Sequence, residues 1–361
     1  MPFGVYVHVP FCARRCDYCA FATWTDRDEL QAAYVEACRC EIAAAALAPA
    51  TSVFFGGGTP SRLPAELLVA ILTAIPRAGG CEVTVECNPE SATPELLAAY
   101  AEAGVNRLSF GVQSMVPHVL DALGRAHDPA AVTRAVHAAR AAGFSSLNVD
   151  LIFGAAGESV DDWRSTLDAA LGLDPTHVSA YALTVEPGTP LAAEPSRHPD
   201  DDDQADKYLL AGAVLEAAGL ECYEISNWAL PGHECRHNLL YWEGGDYRGI
   251  GCAAHSSVGG RRWWNVRTPD RYIALVEAGA SPVAGEERLG GGARRLEHLQ
   301  LSLRTRSGVP VDALDLDDPA LDGLVAIEEP CAGGAAGRAP ARVRLTPRGR
   351  LLANEVALRL R

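Results

Sequence analysis

The chain has 361 residues, of which 48% are hydrophobic and 21% are charged, and its formal net charge is -15. This composition predicts a globular protein with one large domain and a smaller one, and the acidic balance argues against binding to nucleic acid, which needs a Lys/Arg surface. No segment has the length of a membrane span or the basic flank of a signal peptide, so we expect the protein to be cytoplasmic.

Along residues 1–230, short β-rich runs alternate with longer helical patterns. The predicted strands are 4–9, 52–55, 82–87, 107–111, 146–152 and 177–183. The predicted helices between them are 27–47, 64–75, 94–103, 129–142 and 160–173. Such alternation predicts βαβ crossovers and a mainly parallel α/β sheet, closed or partly closed as a barrel. In a barrel of this kind, the loops after the strands form the active site.

Three cysteines follow the first predicted strand at C-x3-C-x2-C spacing: Cys12, Cys16 and Cys19. Three thiolates on a four-iron cluster leave one iron open for another ligand, whereas a cluster that only carries electrons normally has four. A structural zinc site with His8 as the fourth ligand is an alternative, although zinc favours paired C-x2-4-C knuckles. A disulfide framework is disfavoured by the odd total of 11 cysteines in a long chain.

Short polar or glycine-rich motifs also follow the next predicted strands. Residues 55–60 read FGGGTP, and their glycines allow a ligand to approach the backbone closely. Glu86 ends the third predicted strand, and Asp150 lies inside the fifth, where an unpaired carboxylate would be costly. The fourth predicted strand leads into SFGVQS at 109–114. A single such motif is weak support for a site, but five in succession, counting the cysteine loop, indicate a ligand-binding rim.

Together, the segments YVHVPFCARRCDYCAF, FFGGGTP, VECNPE, GVNRLSFGVQS and NVDLIFG resemble the radical S-adenosylmethionine (radical SAM) family, and the resemblance covers nearly the whole chain. It implies a partial (β/α)6 TIM-like barrel in which Cys12, Cys16 and Cys19 hold a [4Fe-4S] cluster and SAM binds the open iron. The other residues that match family positions around these groups are Tyr6, Tyr18, Gly57, Gly58, Thr59, Glu86, Gln113, Arg125 and Asp150. Their chemistry suits SAM, because carboxylates attract its sulfonium and ammonium groups and Arg125 can fork onto its carboxylate.

Within that family, the chain resembles the branch that contains oxygen-independent coproporphyrinogen III oxidases and related heme chaperones. The oxidases have a further cysteine two residues after the third one, where this chain has Phe21, as the chaperones do. The sequence HNLLYW, which begins at His237, resembles the heme-binding H-N-x-x-Y-W signature of the chaperones. His237 is therefore a candidate axial ligand of heme iron. Further candidate ligands are Cys235, His233 and His255.

The resemblance also predicts three regions. Residues 1–230 form the core barrel, 231–289 form a barrel-closing segment with the heme motif, and 290–361 form a small helical, winged-helix-like C-terminal domain. Residues 247–256, YRGIGCAAHS, resemble a glycine-rich turn of the family at one edge of the barrel. In the C-terminal region we expect a helix at 296–303, a loop at 331–340, a strand at 341–345 and one amphipathic helix at 347–360. This domain is expected to cover the barrel mouth.

The function that the resemblance implies is that of a heme chaperone, which binds heme and passes it to acceptor hemoproteins, among them respiratory heme enzymes. The alternative is an enzyme, an anaerobic coproporphyrinogen III dehydrogenase that oxidatively decarboxylates propionates to vinyls. Whether the chain is an enzyme stays open on the sequence alone. Contact with a membrane surface through the acceptor, and a dimer, are further hypotheses.

Overall fold

The structure is a computed structural model that describes residues 2–125, 128–328 and 341–361. Within these ranges, twelve strands form one sheet and three more strands form a second, smaller one. The loop predicted at 331–340 lies outside the described residues. None of the helices in the described ranges is both long and apolar enough to cross a lipid bilayer.

Six consecutive strands form the parallel centre of the large sheet, because a helix returns the chain to the same end after each strand. The strands are β1 (Phe3–Val9), β2 (Ala50–Gly57), β3 (Arg77–Cys87), β4 (Arg107–Gln113), β5 (Ser146–Phe153) and β6 (His177–Ala182). The helices are α1 (Gln31–Ala45), α2 (Ala65–Ala74), α3 (Pro94–Ala103), α4 (Pro117–Ala122), α5 (Pro129–Ala141) and α6 (Val160–Leu171). The predicted α/β barrel architecture is confirmed. The short helix α4 was not expected, and β3 begins earlier than predicted.

Alternation along β1 shows how the strands divide their side chains between two faces. Val5, Val7 and Val9 are fully buried in the main hydrophobic core, while Tyr6 and His8 point to the opposite face, inside the barrel. The same alternation places polar side chains of β3 to β6 in the interior. The centre of the barrel is therefore polar and available for ligands, and the apolar layer lies between the sheet and its helices.

Further strands extend both edges of the large sheet. They follow a long helix, α7 (Asp201–Ala217), and are β7 (Glu221–Glu224), β8 (Asn227–Ala229), β9 (Asp246–Ile250), β10 (His255–Val258), β11 (Arg261–Asn265) and β12 (Val283–Arg288). β8 and β7 add to the β6 edge, whereas β9 pairs parallel to β1 and leads to antiparallel β10, β11 and β12. The glycine-rich segment 247–256 thus lies at the β1 edge.

A short helix, α8 (Arg236–Trp242), carries the H-N-x-x-Y-W motif and packs at the amino ends of β1 and β2. The carboxylate of Glu82, at the start of the regular part of β3, accepts the backbone N–H groups of Arg236 at 3.1 Å and His237 at 3.0 Å. A side chain from the barrel therefore caps this helix in place of a residue of its own.

The C-terminal region has its own hydrophobic core. Its elements follow α9 (Pro269–Glu277) and are α10 (Gly291–Leu303), β13 (Val309–Pro310), β14 (Val325–Glu328), β15 (Arg342–Leu345), α11 (Pro347–Leu351) and α12 (Ala353–Ala357). The single helix predicted at 347–360 is wrong, because Leu352 leaves helical dihedral angles (φ -111°, ψ 27°) and divides it. The spacing of apolar residues along 347–360 is unaffected by this break, since Ala353 and Val356 both face the C-terminal core.

The C-terminal region does not cover the barrel mouth, contrary to the expectation from the sequence. Its helix α10 packs against α8, and Thr305 forms an isolated bridge with Glu224 of β7. It therefore lies beside the amino ends of the strands and the β9–β11 edge. The bounds 1–230, 231–289 and 290–361 stay a prediction.

Candidate functional site

A cavity of about 600 Å³ opens at the carboxyl ends of the central strands, and we call it the rim cavity. The three cysteines of the C-x3-C-x2-C motif, Cys12, Cys16 and Cys19, all line it. Cys12 is buried and its Sγ lies 3.6 Å from the hydroxyl oxygen of Thr59, which is the residue after the glycine triplet. The first two loops of the barrel thus meet at this point.

The loop that carries the cysteines is fixed at both ends by backbone hydrogen bonds. The N–H of Cys12 donates to the carbonyl of Trp24 at 3.0 Å, and the N–H of Trp24 donates to the carbonyl of Pro10 at 2.8 Å. In the middle of the loop, Arg197 forms a 2.8 Å ion pair with Asp17. These three contacts hold both ends and the middle of the cysteine loop in place without the help of a ligand.

Gly58 allows the closest approach between the second loop and the cysteines. A Cβ atom at this position would lie 2.8 Å from the carbonyl oxygen of Phe11 and 3.1 Å from Sγ of Cys12. The Gly58 N–H donates to the carbonyl of Val9 at 2.8 Å, so the backbone cannot move away without losing that bond. Only glycine fits at this position without displacing the cysteine loop.

Two buried carboxylates, those of Glu86 and Asp150, face the same cavity. Glu86 accepts the N–H of Gly57 at 3.2 Å, and Asp150 accepts from Ser109 at 2.8 Å and Asn148 at 2.9 Å. Burial, with the negative charge of Asp150 as the second cause, raises the pKa of Glu86 to about 8. Neither carboxylate forms an ion pair with any residue of the described ranges. A cationic ligand would therefore be stabilised beside them.

Arg125 supplies the positive charge on the other side of the cavity. Its guanidinium donates to Sγ of Cys16 at 3.5 Å and to the carbonyl of Gly111 at 2.5 Å, and it also contacts Oδ1 of Asn88. Nearby, Gln113 has a left-handed backbone conformation (φ 65°), which is uncommon for a residue with a side chain. This conformation brings its side chain into the rim cavity.

Burial raises the pKa of Cys12 and of Cys19, so both thiols are protonated while no metal is bound. Binding of a cluster would have to displace these protons. Across the described residues, no three His, Cys, Asp or Glu side chains converge tightly enough to hold one metal ion. A cube-shaped cluster is wider than one ion and does not need such convergence.

Most of the predicted site residues meet at the rim cavity. Besides the cysteines they are Tyr18, Gly57, Gly58, Thr59, Glu86, Gln113, Arg125 and Asp150. Tyr6 and His237 are placed elsewhere, because they line a smaller cavity deeper in the barrel, of about 140 Å³, which we call the inner cavity. Asn88, Ser109 and Tyr181 also line the rim cavity and were not predicted as site residues. Because these three residues lie at or near strand ends, the sequence could have identified them as candidate site residues.

His237 is fully enclosed in protein. Its Nδ1 lies 2.9 Å from the hydroxyl oxygen of Ser52, and its Nε2 lies 2.8 Å from that of Tyr241. Burial lowers the pKa of His237 to about 3, so the imidazole is neutral. Both ring nitrogens are engaged in this conformation, and a bond to heme iron would require one of these hydrogen bonds to break.

The remaining candidate heme ligands differ in accessibility. Cys235 is buried with its Sγ 3.7 Å from Glu82, and burial raises the pKa of this thiol to about 12. His233 lines neither the rim cavity nor the inner cavity. His255 is exposed and lines a third cavity beside β9 and β10.

Comparison with known proteins agrees with this fold and site. Residues 6–170 match the model of the Radical SAM superfamily. Coproporphyrinogen III oxidase (HemN) from Escherichia coli has the same fold, with a TM-score of 0.83 and 22% identity over 99% of this chain and 89% of that chain. A parallel partial barrel with this cysteine loop at its rim is the architecture of a radical SAM protein.

Full-length relatives define the family more narrowly. Heme chaperone HemW of Mycobacterium tuberculosis (strain ATCC 25618 / H37Rv) is 43% identical, over 98% of this chain and 94% of the relative. Heme chaperone HemW of Bacillus subtilis (strain 168) is 34% identical, over 98% of this chain and 97% of the relative. The chain belongs to the HemW family.

Membership in the radical SAM superfamily implies a [4Fe-4S] cluster and SAM, and the residues of the rim cavity fit both groups. The cysteines provide three thiols beside a glycine that leaves room for the cluster loop. The buried carboxylates of Glu86 and Asp150 suit a sulfonium and an ammonium, and Arg125 suits a carboxylate.

Proposed function

We propose that this chain is a heme chaperone that binds heme and transfers it to acceptor hemoproteins. The observation that carries the proposal is the match to HemW proteins along almost the whole chain, at 43% identity for the Mycobacterium tuberculosis protein. Phe21 supports it, because this position carries no fourth cysteine. The likeness to coproporphyrinogen III oxidase concerns the fold alone.

In this proposal, Cys12, Cys16 and Cys19 hold the [4Fe-4S] cluster, and SAM occupies the remainder of the rim cavity. Bound together, these groups supply one-electron reductive chemistry, which the protein itself cannot provide. The chain contributes binding and orientation. Gly57, Gly58 and Thr59 form the wall beside the cluster loop, and Tyr18 and Gln113 line the cavity near Arg125.

Charge decides the orientation of SAM in the rim cavity. Glu86 and Asp150 attract its positive groups, while the guanidinium of Arg125 is placed for a negative group. Arg125 also donates a hydrogen bond to Sγ of Cys16, which holds its guanidinium beside the cysteine loop. The two signs of charge therefore favour one orientation of a zwitterionic ligand over the reverse.

The proposed cargo is heme, and the proposed partners are hemoproteins that receive it, including respiratory heme enzymes. We place the transfer in the cytoplasm, with contact to a membrane only through a membrane-bound acceptor. No nucleic acid takes part in the proposed function. Whether two copies associate remains a hypothesis.

The test is a heme titration of anaerobically reconstituted protein, followed by mixing with apomyoglobin as a probe acceptor. We expect a saturable Soret band near one heme per chain and transfer to apomyoglobin faster than from a heme–albumin control. Weak, unsaturable binding, or saturable binding without transfer, would overturn the proposal. Conversion of coproporphyrinogen to protoporphyrinogen with SAM and a reductant would instead identify an enzyme.

A further inference from the structure

The wall of the inner cavity carries side chains from β5, β6, β7 and α8 that are hydrogen-bonded one to the next. In order, they are Asp150, Asn148, His177, Tyr223 and Asn238. We call this set the interior network. At one end, Asp150 also lines the rim cavity, and at the other, Asn238 belongs to the H-N-x-x-Y-W motif of α8. Apart from Asp150, none of these residues is assigned to the cluster or to SAM.

The register between neighbouring strands brings the first members of the interior network together. Asn148 of β5 pairs with Ser109 of β4 on one side and with His177 of β6 on the other, and all three side chains line the inner cavity. Asp150 lies two residues further along β5, so it is on the same face and nearer to the carboxyl end of the strand. The sheet itself, rather than a flexible loop, therefore sets the geometry.

Asp150 and His177 together fix the orientation of the Asn148 amide. Its Nδ2 lies 2.9 Å from Oδ1 of Asp150, and its Oδ1 lies 2.6 Å from Nδ1 of His177. A carboxylate oxygen accepts hydrogen bonds and does not donate them, so the amide nitrogen must face Asp150. The amide oxygen then faces the imidazole and requires an N–H there. Nδ1 of His177 is therefore the protonated ring nitrogen.

The other ring nitrogen of His177 is an acceptor. Its Nε2 lies 2.9 Å from the hydroxyl oxygen of Tyr223, and this hydroxyl donates its proton to the ring. The oxygen of Tyr223 in turn accepts from Nδ2 of Asn238 at 3.3 Å. The same amide nitrogen also donates to Oε1 of Glu224 at 3.0 Å, which holds the Asn238 side chain in this orientation.

His177 holds a single ring proton. Burial, followed by the positive charge of Arg107, lowers the pKa of His177 well below its ordinary value. A neutral imidazole has one N–H and one acceptor nitrogen, so it cannot donate at both positions. All four hydrogen bonds of the interior network therefore run in one direction, from Asn238 to Asp150.

Asp150 is the final acceptor of the interior network. It also accepts from the hydroxyl of Ser109 at 2.8 Å. Burial raises the pKa of this carboxyl, and the hydrogen bonds from Ser109, Ser179 and Asn148 oppose that rise. Each of these donors stabilises the ionised carboxylate. If the Asn148 amide turned over, it would present its oxygen to Asp150, and one donor would be lost.

We propose that His177 is a positioning residue for the cationic ligand of the rim cavity. Its Nδ1–H holds the Asn148 amide so that a donor faces Asp150, which keeps Asp150 ionised for the positive charge of SAM. Tyr223 and Asn238 determine which ring nitrogen carries the proton, so the asparagine of the motif contributes to SAM affinity from helix α8. The inference rests on the proposed placement of SAM in the rim cavity and adds the residues that prepare one of its carboxylates.

The experiment is equilibrium dialysis of SAM against anaerobic, cluster-loaded protein, arranged as a double-mutant cycle of wild type, His177→Phe, Asp150→Asn and the double variant. A residue that acts through Asp150 loses its effect once Asp150 is neutral, whereas a residue that only supports the fold weakens binding equally in both backgrounds. We expect His177→Phe to weaken SAM binding about tenfold beside Asp150 and less than about twofold beside Asn at that position. His177→Asn, whose amide nitrogen replaces Nδ1–H, should bind SAM within about threefold of wild type.

Tyr223→Phe tests the same network without removing the imidazole. The aromatic ring stays, but Nε2 of His177 loses the hydroxyl that donates to it, so the opposite tautomer becomes available. We expect SAM binding to weaken by about threefold. Tyr100→Phe is the matched control and should bind SAM like wild type, because its buried hydroxyl has no partner among the described residues. Tyr100 also lines neither the rim cavity nor the inner cavity.

A second readout needs neither SAM nor the His177→Phe variant. Long-range nitrogen–proton NMR of isotope-labelled histidines should show a neutral His177 ring with Nδ1 protonated, identified by the signal that is missing in His177→Asn. An Nε2–H tautomer in wild type, or equal losses of SAM affinity in both halves of the cycle, would overturn the positioning role and leave the heme chaperone function intact. If wild type does not bind SAM, the placement of SAM in the rim cavity falls, and this inference falls with it.

Discussion

The hydroxyl oxygen of Tyr241 lies 2.8 Å from Nε2 of His237, and this contact joins two residues of the same motif across two cavities. His237 faces the inner cavity, where Ser52 engages its other nitrogen at 2.9 Å. Tyr241 borders both the inner cavity and the third cavity, beside β9 and β10. The motif therefore connects the amino end of the barrel to that third cavity.

Replacing Tyr241 with Phe should lower the free energy of unfolding by about 1–3 kcal/mol, because Nε2 of a buried imidazole is left without a partner. Urea denaturation measures this loss. Tyr247→Phe is the matched control, since its hydroxyl makes no hydrogen bond to the described residues and its ring packs on Tyr241. Equal losses for the two variants would contradict a role for the His237 contact.

Cluster binding should depend on Cys16 and not on cysteine content in general. We expect Cys16→Ala, after anaerobic reconstitution, to lose most of its iron and acid-labile sulfide, since two thiolates cannot hold a cluster that needs three. Cys40→Ala is the control, because Cys40 is exposed on α1. With dithionite and SAM, wild type should form 5′-deoxyadenosine above the Cys16→Ala background.

Gly58→Ala tests the close approach between the glycine loop and the cysteine loop. The new Cβ would meet two backbone carbonyls, of Phe11 at 2.8 Å and Val9 at 2.9 Å, which cannot rotate away. We expect reduced iron content together with a lower melting temperature. In Gly212→Ala the Cβ meets nothing within 4 Å, and helix α7 should gain about 0.5–1 kcal/mol of stability. Normal iron content in Gly58→Ala would show that the loop can move.

The buried carboxyl of Glu86 should make stability depend on pH in the SAM-free protein. Its pKa of about 8 lies above the value of about 4.3 for an unfolded chain. The folded state therefore holds the proton more tightly, so this stabilising contribution is present at acid pH and is lost as pH rises through about 8.

The melting temperature of wild type should accordingly fall between about pH 6 and about pH 8.5, and Glu86→Gln should fall less. Glu102→Gln, at an exposed position on α3, should follow wild type. Parallel curves for wild type and Glu86→Gln would refute the raised pKa of Glu86. Saturating SAM should reduce the difference, because its positive charge favours the ionised carboxylate.

Lys207 forms a completely buried ion pair with Glu158, at 3.2 Å between Nζ and Oε2, and a second pair with Asp203 at 2.6 Å. Lys207→Met should lower the free energy of unfolding by about 3–5 kcal/mol, because it leaves the buried Glu158 charge uncompensated. Arg164→Met is the control, since the Arg164–Asp168 pair is more than half exposed and should be worth about 0.3–0.5 kcal/mol. A Lys207→Met/Glu158→Gln double variant should recover part of the loss.

Much of the fold could be predicted because the first half of the chain follows simple periodicity. Strand residues such as Val5 and Val7 are buried on the helix-facing side, and helices such as α3 and α6 begin at clear caps, Thr93 and Ser159. Strands β9 to β12 were not predicted, because their pairing with β1 joins segments far apart in sequence. The break at Leu352 could not be predicted because it leaves the apolar period unchanged.

Convergence of the site residues could be predicted where strand ends determine their position. Cys12, Glu86 and Asp150 meet at one rim because parallel strands place their carboxyl ends together. Tyr6, which was predicted to lie beside the cluster and the cosubstrate, lines the inner cavity together with Glu86 and Asp150, and its contact with either group stays a prediction. His298 was not predicted as a site residue, and it lines the third cavity only because α10 packs beside the barrel.

Ala20 and Phe21 line both the rim cavity and the third cavity, beside β9 and β10, so the loop that the cysteines anchor separates two compartments. Both residues directly follow Cys19 in the chain. A change in the position of Cys19 would therefore be transmitted to the walls of both cavities at once.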